Sequence, residues 1–291
     1  MPLSRRSLIS AVSVGSLTNL FVAGAAAATL ASKWMEYSES SLPVQKTDLV
    51  LADMHVHLNP RCSYLQEALS SGLLGLAKRS DLPSLEYEHL QSLDGFRELE
   101  KGILGTIYGG YVLRCNEIIT WEKFHIVALG IQGPYIRNGL TALETIGLVK
   151  EAGALAVLAH PYIIPFQLTF NIRTHEELVD IVASKSDAIE IFNGRLPYAT
   201  GLGDANRKAS VLADAHGKPG ISVSDDHRCN PNFAGIYLRK DALESSGAIK
   251  GAISSGDFFR LEQYNSFGRT VQEGQETLAS RLSFFLRSIG R

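Results

Sequence analysis

The chain has 291 residues, of which 45% are hydrophobic and 20% are charged, and its formal net charge is −2. This length is enough to bury a sizeable core, in one large domain or in two. The balance of charges excludes the basic excess that is typical of proteins holding nucleic acid as a polymer, so we expect no stable nucleic-acid binding. The ordinary composition also excludes a chain that is disordered throughout.

The N-terminal segment has the pattern of an export signal. Arg5 and Arg6 are followed by no charged residue until Lys33, and the stretch ends in alanines that offer small-residue cleavage sites. The letters SRRSLI, from Ser4, resemble a twin-arginine signal, in which Ser/Thr-Arg-Arg-x precedes hydrophobic residues. Residues 8–31 are also long enough to span a bilayer, so an uncleaved anchor is the alternative, and a buried helix is a third interpretation.

This segment predicts the domain organisation and the location of the protein. We expect a signal peptide or membrane anchor over 1–32, a linker over 33–47 and one folded domain over 48–291. The protein would then be exported by the twin-arginine machinery to the periplasm or the extracellular space. It would be membrane-anchored through residues 8–31 if the segment is not cleaved.

After the linker, short apolar runs alternate with amphipathic helices. The predicted strands are Leu49–Leu58, Ile103–Ile107, Tyr111–Ile119, His125–Ile131, Leu155–His160, Ala188–Asn193, Gly220–Ser224 and Gly235–Leu238. Helices are predicted over Thr141–Ala152 and Asp204–His216, and Thr174 with Glu177 is predicted to form a capping box at the start of a third. Strands that alternate with helices indicate a mostly parallel α/β sheet, and about seven such units favour a closed barrel.

The first strand ends in two histidines, in the letters LADMHVHLNP at residues 51–60. Successive side chains of a strand point to opposite faces, so His55 and His57 share one face and could hold one metal ion. Met54 and Val56 would then point the other way, into the packing. A single His-x-His is more often part of a polar face or a core, so the other ligands must come from elsewhere in the chain.

Other ligand-type side chains fall at the ends of predicted strands, where active sites of barrels gather. His160 ends one apolar run, Asp225 and His227 follow another, and Glu117 lies inside an otherwise apolar strand. His125 opens its strand and fits this rule less well. Histidines with a few carboxylates suit Zn²⁺, Mn²⁺ or Fe²⁺ better than Mg²⁺ or Ca²⁺. More than four such ligands imply more than one ion, and a carboxylate such as Glu117 can bridge two of them.

In order along the chain, these motifs resemble the PHP family, the polymerase and histidinol phosphatase superfamily. The resemblance runs from about Val50 to Leu261, and its motifs are His55-x-His57, Glu117 before His125, Ala159-His160-Pro161 and Ser224-Asp225-Asp226-His227. It implies a distorted (β/α)7 barrel over 48–291 with two or three divalent metals and phosphoester hydrolysis. By carry-over, one ion would be held by His55, His57, Glu117 and Asp225, and the second by Glu117, His125 and His160.

The sequence departs from the family where a Thr-Asp-His motif is usual. That region has the letters LAKRSDLPS, with Asp81 at the aspartate and Leu82 where the histidine should be. The family's further ligands of a third ion would correspond to Cys62 or Ser63 and to His227. The third site is therefore either lost or rebuilt from Cys62 or His89.

The three cysteines form no Cys-x-x-Cys pair, so a disulfide framework is not expected. Cys62, Cys115 and Cys229 all lie within a few residues of proposed ligands. Small buried residues that pack around the site are the favoured interpretation, and a thiolate ligand that would favour zinc is the alternative.

The phosphate group of a substrate needs cationic donors, and Arg195 just past a strand is the first candidate, followed by Arg61 and Arg228. The leading hypothesis is a phosphoesterase that acts on a small phosphorylated compound with a metal-bridging hydroxide as the nucleophile. Asp225 would act at the reacting centre, and His227 would protonate the leaving group if it is free of metal. The alternatives are an amidohydrolase-type metal hydrolase and a degenerate PHP module that binds without turnover.

Overall fold

A computed structural model describes residues 48–60, 64–70, 72–81, 84–162, 172–195, 203–227, 231 and 234–264. The expected signal segment and linker lie outside the described residues, as do Arg61, Cys62, Ser63, Leu82, Arg228 and Cys229. Within the described part of the chain, no helix has the length and apolar character needed to cross a membrane.

Strands and helices alternate along much of the chain, as the sequence predicts, but four strands follow one another between residues 97 and 129 with no helix between them. The strands are β1 (Leu49–Val56), β2 (Leu73–Lys78), β3 (Arg97–Glu100), β4 (Leu104–Ile107), β5 (Gly110–Ile119), β6 (His125–Leu129), β7 (Leu155–Ala159), β8 (Ala188–Asn193), β9 (Gly220–Val223), β10 (Gly235–Arg239) and β11 (Phe259–Leu261). The helices are α1 (Leu65–Leu69), α2 (Tyr87–Leu90), α3 (Ala142–Glu151), α4 (Ile172–Lys185), α5 (Gly203–Ala215) and α6 (Ser246–Ser255), with a 3₁₀ helix over Lys240–Glu244.

The strands form one mixed sheet that curves into a nearly closed barrel. The order is β11-β10-β1-β2-β5-β6-β7-β8-β9, with β4 pairing to β5 and β3 to β4. Pairing is parallel from β1 to β5 and from β7 to β9, and antiparallel from β5 to β7. The end of β9 returns to β1, where the backbone N–H of His57 donates to the carbonyl of Asp226 at 2.7 Å.

The predicted α/β barrel is thus confirmed as a nearly closed mixed sheet, whereas the count of seven units stays a prediction. The expectation of a mostly parallel sheet is wrong, because six of the ten strand pairings among the described residues are antiparallel. The sequence analysis missed β2, a buried strand between β1 and β5. Gly75 weakens the strand signal but is needed for packing, since a Cβ there would lie 2.4 Å from the carbonyl oxygen of Met54.

Helix starts follow local capping rules in one case and not in another. Thr141 accepts a hydrogen bond from the backbone N–H of Glu144, and the Glu144 carboxylate accepts from the N–H of Thr141, so α3 begins with a capping box. The capping box predicted at Thr174 is wrong, because α4 already begins at Ile172. An N-cap residue precedes the first helical residue, whereas Thr174 is the third residue of α4.

A β-bulge in β1 sets the direction of the two histidines. Asp53 pairs with Leu74 and Val56 pairs with Leu76, so β1 has one residue more than β2 over this stretch. Ala52 before the bulge packs in the central cluster inside the sheet, and after the bulge Val56 packs in an outer cluster against α1 and α2. The extra residue places His55 and His57 on the inner side that Ala52 also faces, although strict alternation would put them opposite to it. Met54, expected in the outer packing, joins the central cluster instead.

Candidate metal centre

The predicted ligands converge at one end of the barrel. His55 and His57 lie at the end of β1, and Glu117 lies near the end of β5. His125 opens β6, but β6 runs antiparallel to β5 and to β7, so His125 pairs with Ile119 at the end of β5 and with Ala159 at the end of β7. The antiparallel step therefore explains why a histidine at a strand start reaches the same end.

His160 and Asp225 follow β7 and β9 in an uncommon backbone conformation. Their φ angles are 29° and 52°, in the left-handed region that residues other than glycine rarely adopt. Strain of this kind costs on the order of 1–3 kcal/mol per residue and persists where the surroundings hold it, often at functional sites. Here the conformation accompanies the placement of both side chains in the histidine and carboxylate cluster.

The first group of ligand atoms is formed by His55, His57 and Glu117, which are all buried. Nε2 of His55 lies 2.9 Å from Nε2 of His57, and Nε2 of His57 lies 2.9 Å from Oε2 of Glu117. Asp225 is close to this group, since its Oδ1 lies 3.8 Å from Nε2 of His55. Two imidazole nitrogens and carboxylate oxygens thus face one small volume.

The other oxygen of Glu117 faces a second group. Oε1 contacts Nδ1 of His125 in a short hydrogen bond and lies 3.7 Å from Nε2 of His160. Glu117 therefore presents one oxygen to His55 and His57 and the other to His125 and His160. This is the arrangement that a carboxylate bridging two ions requires.

A third group combines His57, Asp225 and His227. Nδ1 of His227 lies 2.9 Å from the carbonyl oxygen of Asp225, and its Nε2 lies 3.2 Å from Nη1 of Arg195. A carbonyl can only accept and a guanidinium can only donate, so the proton of a neutral His227 sits on Nδ1 and Nε2 is an acceptor. Arg195, predicted from sequence, thus lies at the site, with Nη1 4.0 Å from Oδ2 of Asp225.

The sequence analysis missed Glu190, a buried residue of β8. Its Oε1 accepts from Nδ1 of His55 at 2.7 Å, and its Oε2 accepts the backbone N–H of His160 at 3.1 Å. Glu190, His55 and His160 form a fourth group of ligand-type atoms. A lone carboxylate inside the apolar letters AIEIFN is the same signal that singled out Glu117, and it could have found this residue.

Arg79 was missed as well, because β2 was not predicted. It follows the end of β2, and its Nη1 lies 3.3 Å from Oε2 of Glu117. Its Nε and Nη2 donate to the two carboxylate oxygens of Asp81 at 2.7 and 2.9 Å. Asp81, which the resemblance places at the family's aspartate, is thus occupied by an ion pair and belongs to none of the four groups found among the described residues.

His89, a candidate for a rebuilt third site, and Cys115, a candidate thiolate ligand, do not join the cluster. His89 is exposed on α2, and its Nδ1 accepts from the backbone N–H of Glu86 at 3.2 Å. Cys115 is buried in the central apolar cluster, and burial raises the pKa of its thiol to about 12. A thiol with so high a pKa is a poor source of thiolate, so packing is the better account of Cys115. Cys62 and Cys229 lie outside the described residues.

Burial and neighbouring charges move the pKa values of the cluster. Burial alone would lower the pKa of His55, but the carboxylates of Glu190 and Asp225 outweigh it and raise that pKa well above its ordinary value. Burial would raise the pKa of Glu117, but the charges of His125 and His57 hold it well below its ordinary range. Burial lowers the pKa of His227 to about 3, helped by His57 and Arg195 and opposed by Asp225.

The chemistry of these donors fits divalent metal ions. The Nδ1–H of His55 donates a hydrogen bond to Glu190, so Nε2 of the neutral ring has its lone pair free to face the cluster. Nδ1 of His57 is buried and has no hydrogen-bond partner among the described residues. Histidine nitrogens and carboxylates in groups of three or more match the ligands of Zn²⁺, Mn²⁺ and Fe²⁺. A metal would displace protons from these rings on binding.

Comparison with known proteins identifies the fold. No family model matches the sequence, and no curated protein matches it. The crystal structure of PsfC from Pseudomonas syringae PB-5123 is similar at a TM-score of 0.54 and 14% identity, over 80% of this chain and 99% of PsfC. The lesion-specific endonuclease PfuEndoQ from Pyrococcus furiosus has a TM-score of 0.49 and 16% identity, over 73% of this chain and 57% of that chain.

A two-domain protein from Bacteroides vulgatus ATCC 8482, described as containing a predicted PHP-like metal-dependent phosphoesterase, has a TM-score of 0.46 and 14% identity. The match covers 74% of this chain and 65% of that chain. At 14% identity, the similarity to PsfC shows that the two chains share a fold.

Proposed function

We propose that this chain is a metal-dependent phosphoesterase that hydrolyses a small phosphorylated compound in a barrel of the (β/α)7 PHP type. The observation that carries the proposal is the position of Glu117, whose two oxygens face two different pairs of histidines in a buried cluster. A carboxylate that bridges two ions is what a dinuclear centre needs, and such centres are typical of phosphoester hydrolysis.

The residues that would hold the metals follow from the groups. His55, His57, Glu117 and Asp225 would hold one ion, and Glu117, His125 and His160 the second, with Mn²⁺, Zn²⁺ or Fe²⁺ as candidates. When bound, two such ions supply a water activated at neutral pH as the nucleophile, and they stabilise the charge on the phosphoryl oxygens. Asp225 sits next to both His57 and His227 and would fix them relative to the reacting phosphorus.

Arg195 and His227 would serve the substrate side of the site. The guanidinium of Arg195 is suited to phosphoryl oxygens because it offers several N–H donors in one plane. Because Nε2 of His227 accepts from Arg195, a role for His227 as a metal ligand or proton acceptor is better supported than its predicted role as the acid for the leaving group. Acting as that acid would require a proton on Nε2.

Two alternative functions are less well supported. Amidohydrolase-type centres use a bridging lysine, but the lysine at the end of β2, Lys78, pairs with Glu86 at 2.9 Å and covers the ring of Tyr135. A degenerate module that binds without turnover would have little need for seven predicted ligands that converge, with a buried Glu190 behind them. Both alternatives would be favoured by the same result, a purified protein without phosphoester turnover.

The proposal is tested by metal analysis of the purified full-length chain together with assays on an aryl phosphate monoester and a diester. We expect about two equivalents of Mn, Fe or Zn and metal-dependent release of the aryl alcohol. A chain that holds no metal and turns over neither ester after addition of Mn²⁺ would favour the binding module. Glu117→Gln is the matched inactive control, because it keeps the shape of the side chain and removes its charge.

Export through the twin-arginine machinery is a separate proposal that rests on residues 1–32. Twin-arginine export carries folded proteins, which would suit an enzyme that binds its metals before it leaves the cytoplasm. Cell fractionation with the natural segment and with an Arg5→Lys, Arg6→Lys double variant tests it. Retention of the variant in the cytoplasm is expected, and equal export of both chains would contradict the proposal.

A further inference from the structure

Arg79 is held at the candidate metal centre by contacts that metal binding itself does not need. Its side chain is 18% exposed, and it reaches Glu117 from the end of β2. The Nε and Nη2 edge of the guanidinium is fixed by both oxygens of Asp81, which is 46% exposed and takes no part in the metal groups. A bidentate pair of this kind fixes both the position and the plane of a guanidinium.

This arrangement leaves donors of Arg79 for a further partner. A guanidinium has five N–H groups, and among the described residues three of them are used, two by Asp81 and one by Glu117. One of the remaining two lies on Nη1 and the other on Nη2. The charge stays on this side chain at every ordinary pH, so the site presents a permanent cation to any anion that enters.

The position of Arg79 complements that of Arg195. Arg79 follows β2 and contacts Glu117, which belongs to the first and second groups. Arg195 follows β8 and lies beside Asp225 and His227 of the third group. In the sheet order, β2 and β8 are separated by β5, β6 and β7, so the two arginines approach the carboxylates from different sides of the barrel end. Cationic donors therefore lie on two sides of these carboxylates.

We propose that Arg79 is an anion-binding residue that holds phosphoryl oxygens of the substrate, and that Asp81 positions its guanidinium. This inference rests on the proposed function, because it assigns a second cation to the same substrate group. It also accounts for the letters KRSD at a place where the sequence offers no metal-binding histidine.

The experiment uses the full-length chain loaded with Mn²⁺ and inorganic phosphate as the probe. Binding is measured by calorimetry and, separately, as competitive inhibition of aryl phosphate hydrolysis, and metal content is measured for every variant. The variants are Arg79→Ala, Arg79→Lys and Asp81→Asn, and the matched control is Arg97→Ala, at an exposed arginine of β3.

We expect Arg79→Ala to weaken phosphate binding at least tenfold, with a matching rise in KM and unchanged metal content. Asp81→Asn should weaken phosphate binding by only a few-fold, because the cation of Arg79 remains but is less well fixed. The thermal midpoint of this variant should change little. Arg79→Lys keeps the charge without the planar fork and should fall between these two. Arg97→Ala should bind phosphate like the wild type.

Three outcomes would overturn the inference: phosphate affinity of Arg79→Ala within twofold of the wild type, a loss of affinity that only follows loss of metal, or a wild-type chain that binds no phosphate. If Arg79→Ala does not fold, unchanged affinity in Arg79→Lys and Asp81→Asn overturns it equally. A wild type that binds phosphate through Arg79 but hydrolyses no ester would contradict the proposed function and leave this inference standing.

Discussion

Glu190 accepts a hydrogen bond from Nδ1 of His55 at 2.7 Å, and both side chains are buried. The two residues are 135 positions apart in the chain, on β1 and β8. A carboxylate behind a histidine fixes the tautomer and the ring direction, so that Nε2 is the nitrogen presented to a metal. Glu190 is therefore a positioning residue for His55 in the proposed centre.

Glu190→Gln should weaken metal binding at the group that contains His55 by about 10- to 100-fold, the usual effect of losing such a partner. The amide can still hydrogen-bond to the ring, but it no longer favours the proton on Nδ1 through charge. Titration of the metal-free chain with Mn²⁺ or Zn²⁺ measures this. Glu151→Gln, at the exposed end of α3, is the control, and equal affinities in both variants would contradict the role.

Substitutions of Glu117 and of His125 should differ in how much metal the chain retains. Glu117→Gln removes a carboxylate from both pairs of histidines, so we expect the chain to lose nearly all of its metal and its turnover. His125→Ala removes one ligand of one group and should leave about one equivalent of metal bound. Elemental analysis after gel filtration distinguishes them, and the bridging assignment fails if Glu117→Gln retains as much metal as His125→Ala.

Arg195→Ala should raise KM for an aryl phosphate about tenfold, the size of one lost hydrogen bond to a charged group. The metal content should not change, because Arg195 contacts His227 and Asp225 without replacing a ligand. Steady-state kinetics and elemental analysis are the measurements. The control Arg260→Ala lies on β11, in an exposed ion pair with Glu262. A fall in kcat at constant KM would argue against substrate binding by Arg195.

Tyr135, which belongs to none of the proposed metal-binding groups, should stabilise the fold in a pH-dependent way. Burial raises the pKa of Glu88, but the hydrogen bond from Tyr135 and the charge of Arg114 outweigh it and leave that pKa below its ordinary 4.5. A lowered carboxyl pKa contributes stability above about pH 4.5, and this is lost as the pH falls through the folded value.

Tyr135→Phe should therefore lower the free energy of unfolding at pH 7 by about 0.5–1 kcal/mol, a value limited by solvent screening because Glu88 is 45% exposed. The difference from the wild type should shrink below about pH 4.5, where Glu88 becomes protonated in both chains. Urea unfolding at both pH values tests this. A deficit that is the same at low pH would mean that the hydroxyl of Tyr135 stabilises the fold without depending on the charge of Glu88.

The sequence by itself determined the residues whose chemistry is local. The spacing of His55 and His57 predicts a shared strand face because side chains of a strand repeat every two residues, and their Nε2 atoms do lie 2.9 Å apart. His160 and Asp225 could be found because a polar residue that ends an apolar run lies at the end of a strand, where barrel sites gather. The alternation of strands and helices likewise predicted the α/β barrel.

Only the tertiary structure decided which of these residues meet and which others join them. The bulge in β1, the antiparallel step that brings His125 to the site and the pairing of Glu190 with His55 all depend on contacts between strands far apart in sequence. Arg79 follows β2, a strand in which Gly75 is favoured by close packing against β1 and not by any local preference. Periodicity along the chain describes one strand at a time, whereas register and closure of the sheet are set by burial across all of them.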